Sequence, residues 1–227
     1  MKVYFVMDLM NGICVAAERG ERSKYKPITE KSLIVRSSDP INVVNKVKPR
    51  YLYVADLDRI MGRGDNLDLI KSLTEFVDEL IADCGFRSEK ELVDLNFKPV
   101  IATETFDITK LSLIKENCYV SLDFKGEFLD SSRKFRDWRK AVEFINDINI
   151  VEGLIVLAIH SVGTKKPDFK LVEDVITISE KPVLLGGGIG CIDDLEKAKE
   201  IGCSGVLIAT AVHTKSIPID IVRRGIF

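Results

Sequence analysis

The chain carries Val183-Leu-Leu-Gly186-Gly187-Gly188-Ile-Gly190, an apolar strand that runs into glycines and then into a helical pattern. A second apolar strand follows, Val206-Leu-Ile-Ala209-Thr210-Ala211, and ends in small residues. Glycine lets backbone N–H groups approach a ligand, and a following helix N-terminus favours an anion. Many (β/α)8 barrels hold phosphate at such neighbouring strand ends, after their seventh and eighth strands. The pattern predicts a phosphate site, and a glycine-rich turn without a ligand is the alternative.

The composition narrows the class of protein. The 227 residues include 46% hydrophobic residues and carry a formal net charge of −2, which allows one sizeable core and predicts no basic surface for nucleic acid. The apolar runs are too short to span a bilayer, and the chain opens on a strand-like segment rather than a leader. We expect one cytoplasmic domain over residues 1–227, without membrane or nucleic-acid partners. The sequence leaves the oligomeric state open.

Cysteine and histidine usage argues against a disulfide framework or a metal centre. The five cysteines form no C-x-x-C pair, and the chain has two histidines, His160 and His213. We expect reduced thiols and no metal. Cys84 and Cys191 lie at predicted strand ends, but no base that could activate a thiol nucleophile is near them in sequence.

Apolar runs of four to six residues alternate with longer segments of helical periodicity. Eight runs are predicted strands: Val3–Met7, Tyr51–Ala55, Glu79–Ala82, Pro99–Ala102, Tyr119–Leu122, Leu154–Ile159, Pro182–Leu185 and Gly205–Ile208. The predicted helices include Asn66–Phe76, Ser88–Asp94, Asp107–Lys115, Asp137–Ile148, Asp168–Ile178, Ile192–Ile201 and Ile217–Arg223. Asn66, Ser88, Asp107 and Asp168 are predicted N-caps.

This alternation predicts an α/β fold, with a parallel sheet covered by helices. Eight units favour a (β/α)8 TIM barrel over an open doubly wound sheet. The first strand is not followed by G-x-G-x-x-G, which argues further against a dinucleotide fold.

The two halves of the sequence also resemble each other. Pro99-Val-Ile-Ala102-Thr103 is similar to Gly205-Val-Leu-Ile-Ala209-Thr210, about half the chain away. Val6-Met-Asp8-Leu-Met-Asn-Gly12 is similar to Ser121-Leu-Asp123-Phe-Lys-Gly126. The repetition predicts a barrel built from two half-barrels.

Asp8 and Asp123 would then end the first and fifth strands on opposite sides of the barrel mouth. Acids at the carboxyl ends of barrel strands face the active-site end. Two such acids beside phosphate-binding strand ends indicate a general acid and a general base acting on one sugar phosphate. The alternative is that both residues merely begin loops.

An ordered set of residues resembles the isomerase and cyclase barrels of histidine biosynthesis over essentially the whole chain. The set comprises Asp8 with Gly12, Asp39-Pro40, Val54-Ala-Asp56-Leu57-Asp58, Asn66-Leu67, Asp123, Trp138, Gly163-Thr164, Gly186-Gly187-Gly188 and Ala209-Thr210-Ala211. Trp138 makes the isomerase the better match of the two enzymes. The alternative, equally favoured, is that Trp138 is an ordinary aromatic residue of a helix.

The resemblance implies a cofactor-free Amadori rearrangement of a phosphorylated aminoaldose to an aminoketose. It implies that Asp8 is the general base and Asp123 the general acid. One phosphate would be held by Gly187, Gly188, Ala209 and Thr210. Gly85 and Thr103 would face a second phosphate. Arg87 would contact phosphate, or remain a solvated arginine.

The chain departs from that family at three places. It has Asp83-Cys84-Gly85 where the family has three glycines, and Ala102-Thr103 where the family has Gly-Thr. It has Leu157-Ala158-Ile159-His160 where the isomerase carries a Thr-Asp pair. A carboxylate beside a phosphate is repulsive unless it is paired or protonated. We therefore expect a diverged relative with a different phosphorylated substrate; the loop with His160, Lys165 and Lys166 is a candidate replacement.

Three functions remain open at this point. The first is an isomerase acting on a phosphorylated, ribose-derived metabolite. The second is a lyase or cyclase that uses the same two acids on another sugar phosphate. The third is a phosphate-binding barrel without catalysis, against which the presence of both acids weighs.

Overall fold

The computed structural model describes residues 1–18 and 20–227 and has the predicted α/β barrel. Its eight barrel strands are β1 (Lys2–Met10), β4 (Tyr51–Asp56), β5 (Glu79–Asp83), β6 (Lys98–Ala102), β7 (Cys118–Lys125), β9 (Val151–Ala158), β10 (Val183–Gly186) and β11 (Gly205–Ile208). Each pairs in parallel with its neighbours, and β11 closes onto β1 with Lys2 opposite Gly205. All eight predicted strands are confirmed, and six of them are one to four residues longer than expected. The repeat of two half-barrels stays a prediction.

Helices and turns connect the strands on the outside. The helices are α1 (Pro40–Val47), α2 (Leu57–Ile60), α3 (Leu67–Leu73), α4 (Trp138–Asn146), α5 (Phe169–Ile178), α6 (Ile192–Glu200), α7 (Thr210–His213) and α8 (Ile219–Arg224). None of the helices in the described part of the chain is long and apolar enough to cross a membrane.

Two predicted helices are wrong. Segment Ser88–Asp94 forms only a short 3₁₀ turn at Glu89–Glu91, and Asp107–Lys115 forms a 3₁₀ helix at Ile108–Leu113. In the second segment Ile108, Leu111 and Ile114 are buried. Their spacing of three residues matches the 3₁₀ period and leaves no stripe that a longer α-helix could bury.

Three of the four predicted N-caps are confirmed. The side chains of Ser88, Asp107 and Asp168 each accept from a backbone N–H group two or three residues further along the chain. The cap at Asn66 is wrong. Its side-chain amide donates to Asp56 Oδ1 at 2.7 Å and Asp58 Oδ2 at 3.0 Å. These buried carboxylates therefore tie the end of β4 to the start of α3.

A small hairpin at the mouth was not expected. It consists of β2 (Ile13–Ala16) and β3 (Lys26–Pro27), and it extends β1 through antiparallel pairing of Asp8 with Val15. A further short strand, β8 (Glu127–Phe128), pairs with the end of β7. The β2–β3 connection carries Arg22 and Tyr25 to the barrel mouth.

The barrel interior is filled by one large side chain from each strand. The eight side chains belong to one buried cluster: Tyr4, Tyr53, Ile81, Val100, Tyr119, Ile155, Leu184 and Leu207. A second buried cluster fills the space between the strands and the helices. We call the eight side chains inside the barrel the plug. Because inward positions alternate along each strand, the next inward residues toward the carboxyl ends lie above the plug. Asp83 holds the first such position on β5, and Asp8 and Asp123 hold the second such positions on β1 and β7.

Candidate functional site

A cleft of about 880 Å³, counting the space open to solvent, lies at the carboxyl end of the barrel. Its size is typical of small-molecule sites. Its polar and small lining residues come from both sides of the mouth and include Asp8, Arg22, Tyr25, Tyr53, Ala55, Asp83, Glu104, Gly163, Lys165, Gly187, Gly188, Ala209 and Thr210. Five of the nine predicted site residues therefore share one cavity.

Strand register places Asp8 and Asp83 in one row. Asp8 is the partner of Ala55 in the β1–β4 pairing, and Ala55 is the partner of Asp83 in the β4–β5 pairing. We call these three residues the mouth row. Two strand spacings separate the Cα atoms of the acids by about 10 Å. The small side chain of Ala55 leaves the space between them open above Tyr53.

Asp8 is partly buried and lines the cleft. Burial raises the pKa of its carboxyl to about 7, and the positive charge of Arg22 limits that rise. A carboxyl that is half ionised near neutral pH is suited to act as a general base.

Asp123 has a different environment. Its side chain is 1% exposed, and within the described residues the cleft lining does not include it. Oδ1 accepts from Ser121 Oγ at 2.6 Å, and Oδ2 accepts from the backbone N–H of Glu104 at 2.9 Å. Burial raises the pKa of Asp123 to about 7, whereas these hydrogen bonds to the carboxylate lower it. The acid expected at the mouth is thus held behind the loop that follows β6.

Asp83 faces the cleft from β5. Its Oδ1 accepts from the backbone N–H of Gly85 at 2.9 Å, and burial raises the pKa of its carboxyl to about 8. The charge of Asp123 raises this pKa further, and the charge of Arg22 lowers it. The raised pKa favours the protonated form of Asp83, which lessens the repulsion that the sequence predicts beside a phosphate.

An ion pair closes one side of the mouth. The guanidinium of Arg22 donates to both carboxylate oxygens of Glu104, at 3.0 and 2.8 Å. It joins the β2–β3 connection to the loop after β6, and both residues line the cleft. No sequence pattern indicates this pair, because periodicity does not place loop residues relative to each other.

The predicted phosphate glycines lie together on the opposite side. Gly187 and Gly188 have φ of +93° and +87°. A Cβ on Gly188 would lie 2.5 Å from the backbone N of Pro167, because the loop before α5 passes directly over it. This packing alone requires glycine there. The support for an anion site is that Gly187, Gly188, Ala209 and Thr210 all line the cleft with Lys165.

The candidate second phosphate site is occupied by protein contacts. A Cβ on Gly85 would lie 2.6 Å from Ile60 Cα. The Arg87 guanidinium donates to the carbonyl oxygens of Arg59, Gly85 and Ile60. Thr103 is fully buried and accepts from the backbone N–H of Asp123 at 3.0 Å. Within the described part of the chain, none of Gly85, Arg87 and Thr103 lines the cleft.

The loop after β9 contributes one of its three candidate residues. Lys165 lines the cleft, and its ammonium group donates to Thr214 Oγ1 and Ser216 Oγ, both at 2.9 Å. His160 and Lys166 are exposed, and neither belongs to the lining formed by the described residues. Over the same residues, no three His, Cys, Asp or Glu side chains form a candidate metal-ligand set.

Sequence reasoning missed Arg22, Tyr25, Tyr53 and Glu104. Tyr53 could have been found, since it lies two residues before Ala55 and alternation along β4 turns both side chains inward. The other three lie in connections whose course the sequence pattern does not determine.

Comparisons with known proteins agree with this architecture. A family model described as "Histidine biosynthesis protein" matches residues 2–218. An uncharacterized protein of Methanocaldococcus jannaschii is 37% identical over 225 residues, 94% of this chain and 93% of that protein. A 1-(5-phosphoribosyl)-5-((5-phosphoribosylamino)methylideneamino)imidazole-4-carboxamide isomerase of Methanopyrus kandleri is 29% identical, covering 91% of this chain and 90% of its own length. A protein of the same name from M. jannaschii is 23% identical, covering 91% of each chain.

The buried carboxyls predict how stability changes with pH. Asp8, Asp83 and Asp123 have raised pKa values of about 7, 8 and 7 in the folded protein, against about 3.9 in an unfolded chain. The folded protein therefore binds more protons between about pH 4 and pH 8. The stability that these groups contribute is complete below pH 4 and is lost as the pH rises through 7 to 8.

We expect the urea midpoint of unfolding to fall between pH 6 and pH 8.5, and the Asp83→Asn variant to show a shallower fall. Asparagine keeps the oxygen that accepts from Gly85 but does not ionise. Asp147→Asn, at an exposed position after α4, is the matched control and should follow the native slope. A slope unchanged by Asp83→Asn would contradict the raised pKa of Asp83.

Proposed function

The chain belongs to the histidine biosynthesis protein family, and from that premise we propose that it is a cofactor-free isomerase of the aldose–ketose type. Its substrate is a phosphorylated, ribose-derived aminoaldose, and the acid–base chemistry depends on both Asp8 and Asp123. The observation that supports this most is that Asp8 and the glycine-rich strand ends line one cleft. A phosphate at those strand ends would leave the sugar above Asp8, because β11 pairs directly with β1.

The proposed reaction needs two proton transfers and no redox partner. An acid protonates the ring oxygen as the C1–O bond breaks, and the nitrogen lone pair forms a C1=N bond. The Asp8 carboxylate then removes the proton on C2, which gives an enaminol. C1 takes up a proton and the C2 hydroxyl loses one, so the product is the ketose isomer and both protein carboxyls regain their starting states.

A single phosphate suits this cleft better than two. Gly85, Arg87 and Thr103 are engaged with protein groups, and Asp83 replaces a glycine of the family at that side. The comparisons give a second argument, since M. jannaschii carries both a named isomerase and the more similar uncharacterized protein. We infer that this chain and its uncharacterized relative act on a substrate other than the bis-phosphorylated imidazole carboxamide.

We expect phosphate to bind at Gly187, Gly188 and Ala209-Thr210, with Lys165 as the nearby cation. Crystals grown in sodium phosphate test this directly, since anion density should lie against the backbone N–H groups of these residues. Lys165→Met should lower the occupancy, and Lys166→Met, whose lysine lies outside the cleft lining, is the control. Anion density beside Gly85 and Thr103, with none beside Gly187 and Gly188, would contradict this prediction.

The activity test compares two substrates. We expect the native protein to isomerise the glycosylamine that ribose 5-phosphate forms with aniline, measured by the ketose carbonyl signal against a protein-free blank. On the bis-phosphorylated imidazole carboxamide we expect kcat/KM below about 10⁴ M⁻¹s⁻¹. Asp8→Asn should fold and lower turnover by about two to four orders of magnitude, and Asp123→Asn should fold and also lower turnover.

Asp147→Asn is again the control, and its turnover should equal that of the native protein. If kcat/KM on the bis-phosphorylated compound reaches about 10⁴ M⁻¹s⁻¹ or more, the substrate proposal fails. In that case the chain would have the activity for which the isomerases of the comparison are named. Near-native turnover in both Asp8→Asn and Asp123→Asn would exclude this pair as the acid–base groups.

A further inference from the structure

The mouth row places a second carboxyl two strands away from Asp8. Asp8 and Asp83 both line the cleft, on strands separated only by β4. The residue between them is Ala55, whose methyl group leaves the space between the carboxyls free. A bound sugar above Ala55 would have one carboxyl on each side.

Asp83 and Asp123 differ in how far their oxygens are engaged. Both Asp123 oxygens accept hydrogen bonds, Oδ1 from Ser121 and Oδ2 from the backbone N–H of Glu104, and the side chain is 1% exposed. Asp83 Oδ1 accepts from Gly85, whereas no donor among the described residues contacts Oδ2. The Asp83 carboxyl therefore has an oxygen free on the wall of the cleft.

We propose that Asp83 is the catalytic residue that donates a proton to the substrate opposite Asp8, and that Asp123 acts on the reaction through Asp83. The inference rests on the proposed isomerase function and assigns the acid of that same site. Asp123 is then a positioning residue, whose negative charge favours the protonated form of Asp83 by repulsion.

The charged groups around Asp83 fit this role. The negative charges of Asp123 and Glu104 oppose its ionisation, and Arg22 favours it. Asp8 lies across the mouth row, and the hydroxyl-bearing rings of Tyr53 and Tyr25 line the same cleft. With a pKa of about 8, Asp83 carries its proton at pH 7, where about half of Asp8 is ionised.

Asp8 and Asp83 together account for every proton that the proposed reaction transfers. Asp83 gives its proton to the ring oxygen as the C1–O bond breaks, and the Asp8 carboxylate takes the proton from C2. Asp8 then returns a proton to C1. The C2 hydroxyl gives its proton to the Asp83 carboxylate as the ketone forms, and no other reactant is needed.

The pH profile of kcat separates Asp83 from Asp123 as the donor. The probe is the glycosylamine of ribose 5-phosphate and aniline, assayed between pH 6 and pH 9.5. The native profile should rise as Asp8 ionises and fall as Asp83 loses its proton near pH 8. Asp83→Asn should lower kcat by about 100-fold or more and remove the basic limb. Asp123→Asn should keep that limb but move it to lower pH, because it removes a charge that holds the proton on Asp83.

The reverse pattern would overturn the inference. If Asp83→Asn keeps the basic limb and a kcat within about threefold of native, Asp83 is not the donor. Loss of the limb in Asp123→Asn alone would assign the proton to Asp123. Asp147→Asn should reproduce the native profile throughout.

A binding measurement separates the position of Asp83 from the proposed function. Ribose 5-phosphate, whose phosphate is a dianion above about pH 7, is titrated into each variant by calorimetry at pH 7 and pH 9. Native affinity should fall by about tenfold as Asp83 ionises, and Asp83→Asn should remove that fall.

If native turnover is absent while this pattern holds, the isomerase proposal fails and Asp83 still faces the bound ligand. An equal fall in affinity for native protein and Asp83→Asn would overturn the role of Asp83. No binding at millimolar ribose 5-phosphate would overturn both.

Discussion

The plug of eight inward side chains, one from each barrel strand, is the constraint on which the site depends. Tyr4, Tyr53 and Ile81 are among them, and each is at most 3% exposed. Close packing at this level keeps water out of the barrel interior. The inward positions above these side chains therefore lie over a layer that excludes water, where ionising a carboxyl is costly. Burial is the largest cause of the raised pKa values of Asp8, Asp83 and Asp123.

The same constraint explains why the strands were predictable. Each barrel strand is buried on both faces, so it reads as a continuous apolar run that needs no knowledge of its neighbours. The position of Asp8 on the cleft wall also follows from strand alternation. Gly187, Gly188 and Thr210 follow from the strand ends at which they lie. These features are local in the sequence and were found from it.

Other features depend on how loops are placed. Asp123 lies behind the segment that starts at Thr103, and that covering is set by hydrogen bonds between residues about twenty positions apart. The Arg22–Glu104 pair joins residues 82 positions apart. Gly188 shows a related limit, since its glycine is required by the loop that crosses it as well as by any ligand. Sequence periodicity carries no information on such contacts.

The proposed difference from the named isomerases depends most on Asp83. Its carboxyl lies in the mouth row, two strands from Asp8, where the resemblance expects a glycine for phosphate. A protonated Asp83 would supply a hydrogen-bond donor where the family's glycine would contact phosphate. The proposed change of substrate and the proposed change of acid therefore involve the same residue.

The most direct test is the ionisation of the carboxyls themselves. Carbon-13 NMR of protein labelled at the aspartate side-chain carboxyls, titrated from pH 4 to pH 9.5, follows each group. Signals are assigned by Asp8→Asn, Asp83→Asn and Asp123→Asn. The account predicts that Asp8 titrates near pH 7 and Asp83 near pH 8, and that Asp83 titrates at lower pH in Asp123→Asn. Titration of Asp8 and Asp83 near the ordinary value of about 3.9 would contradict it.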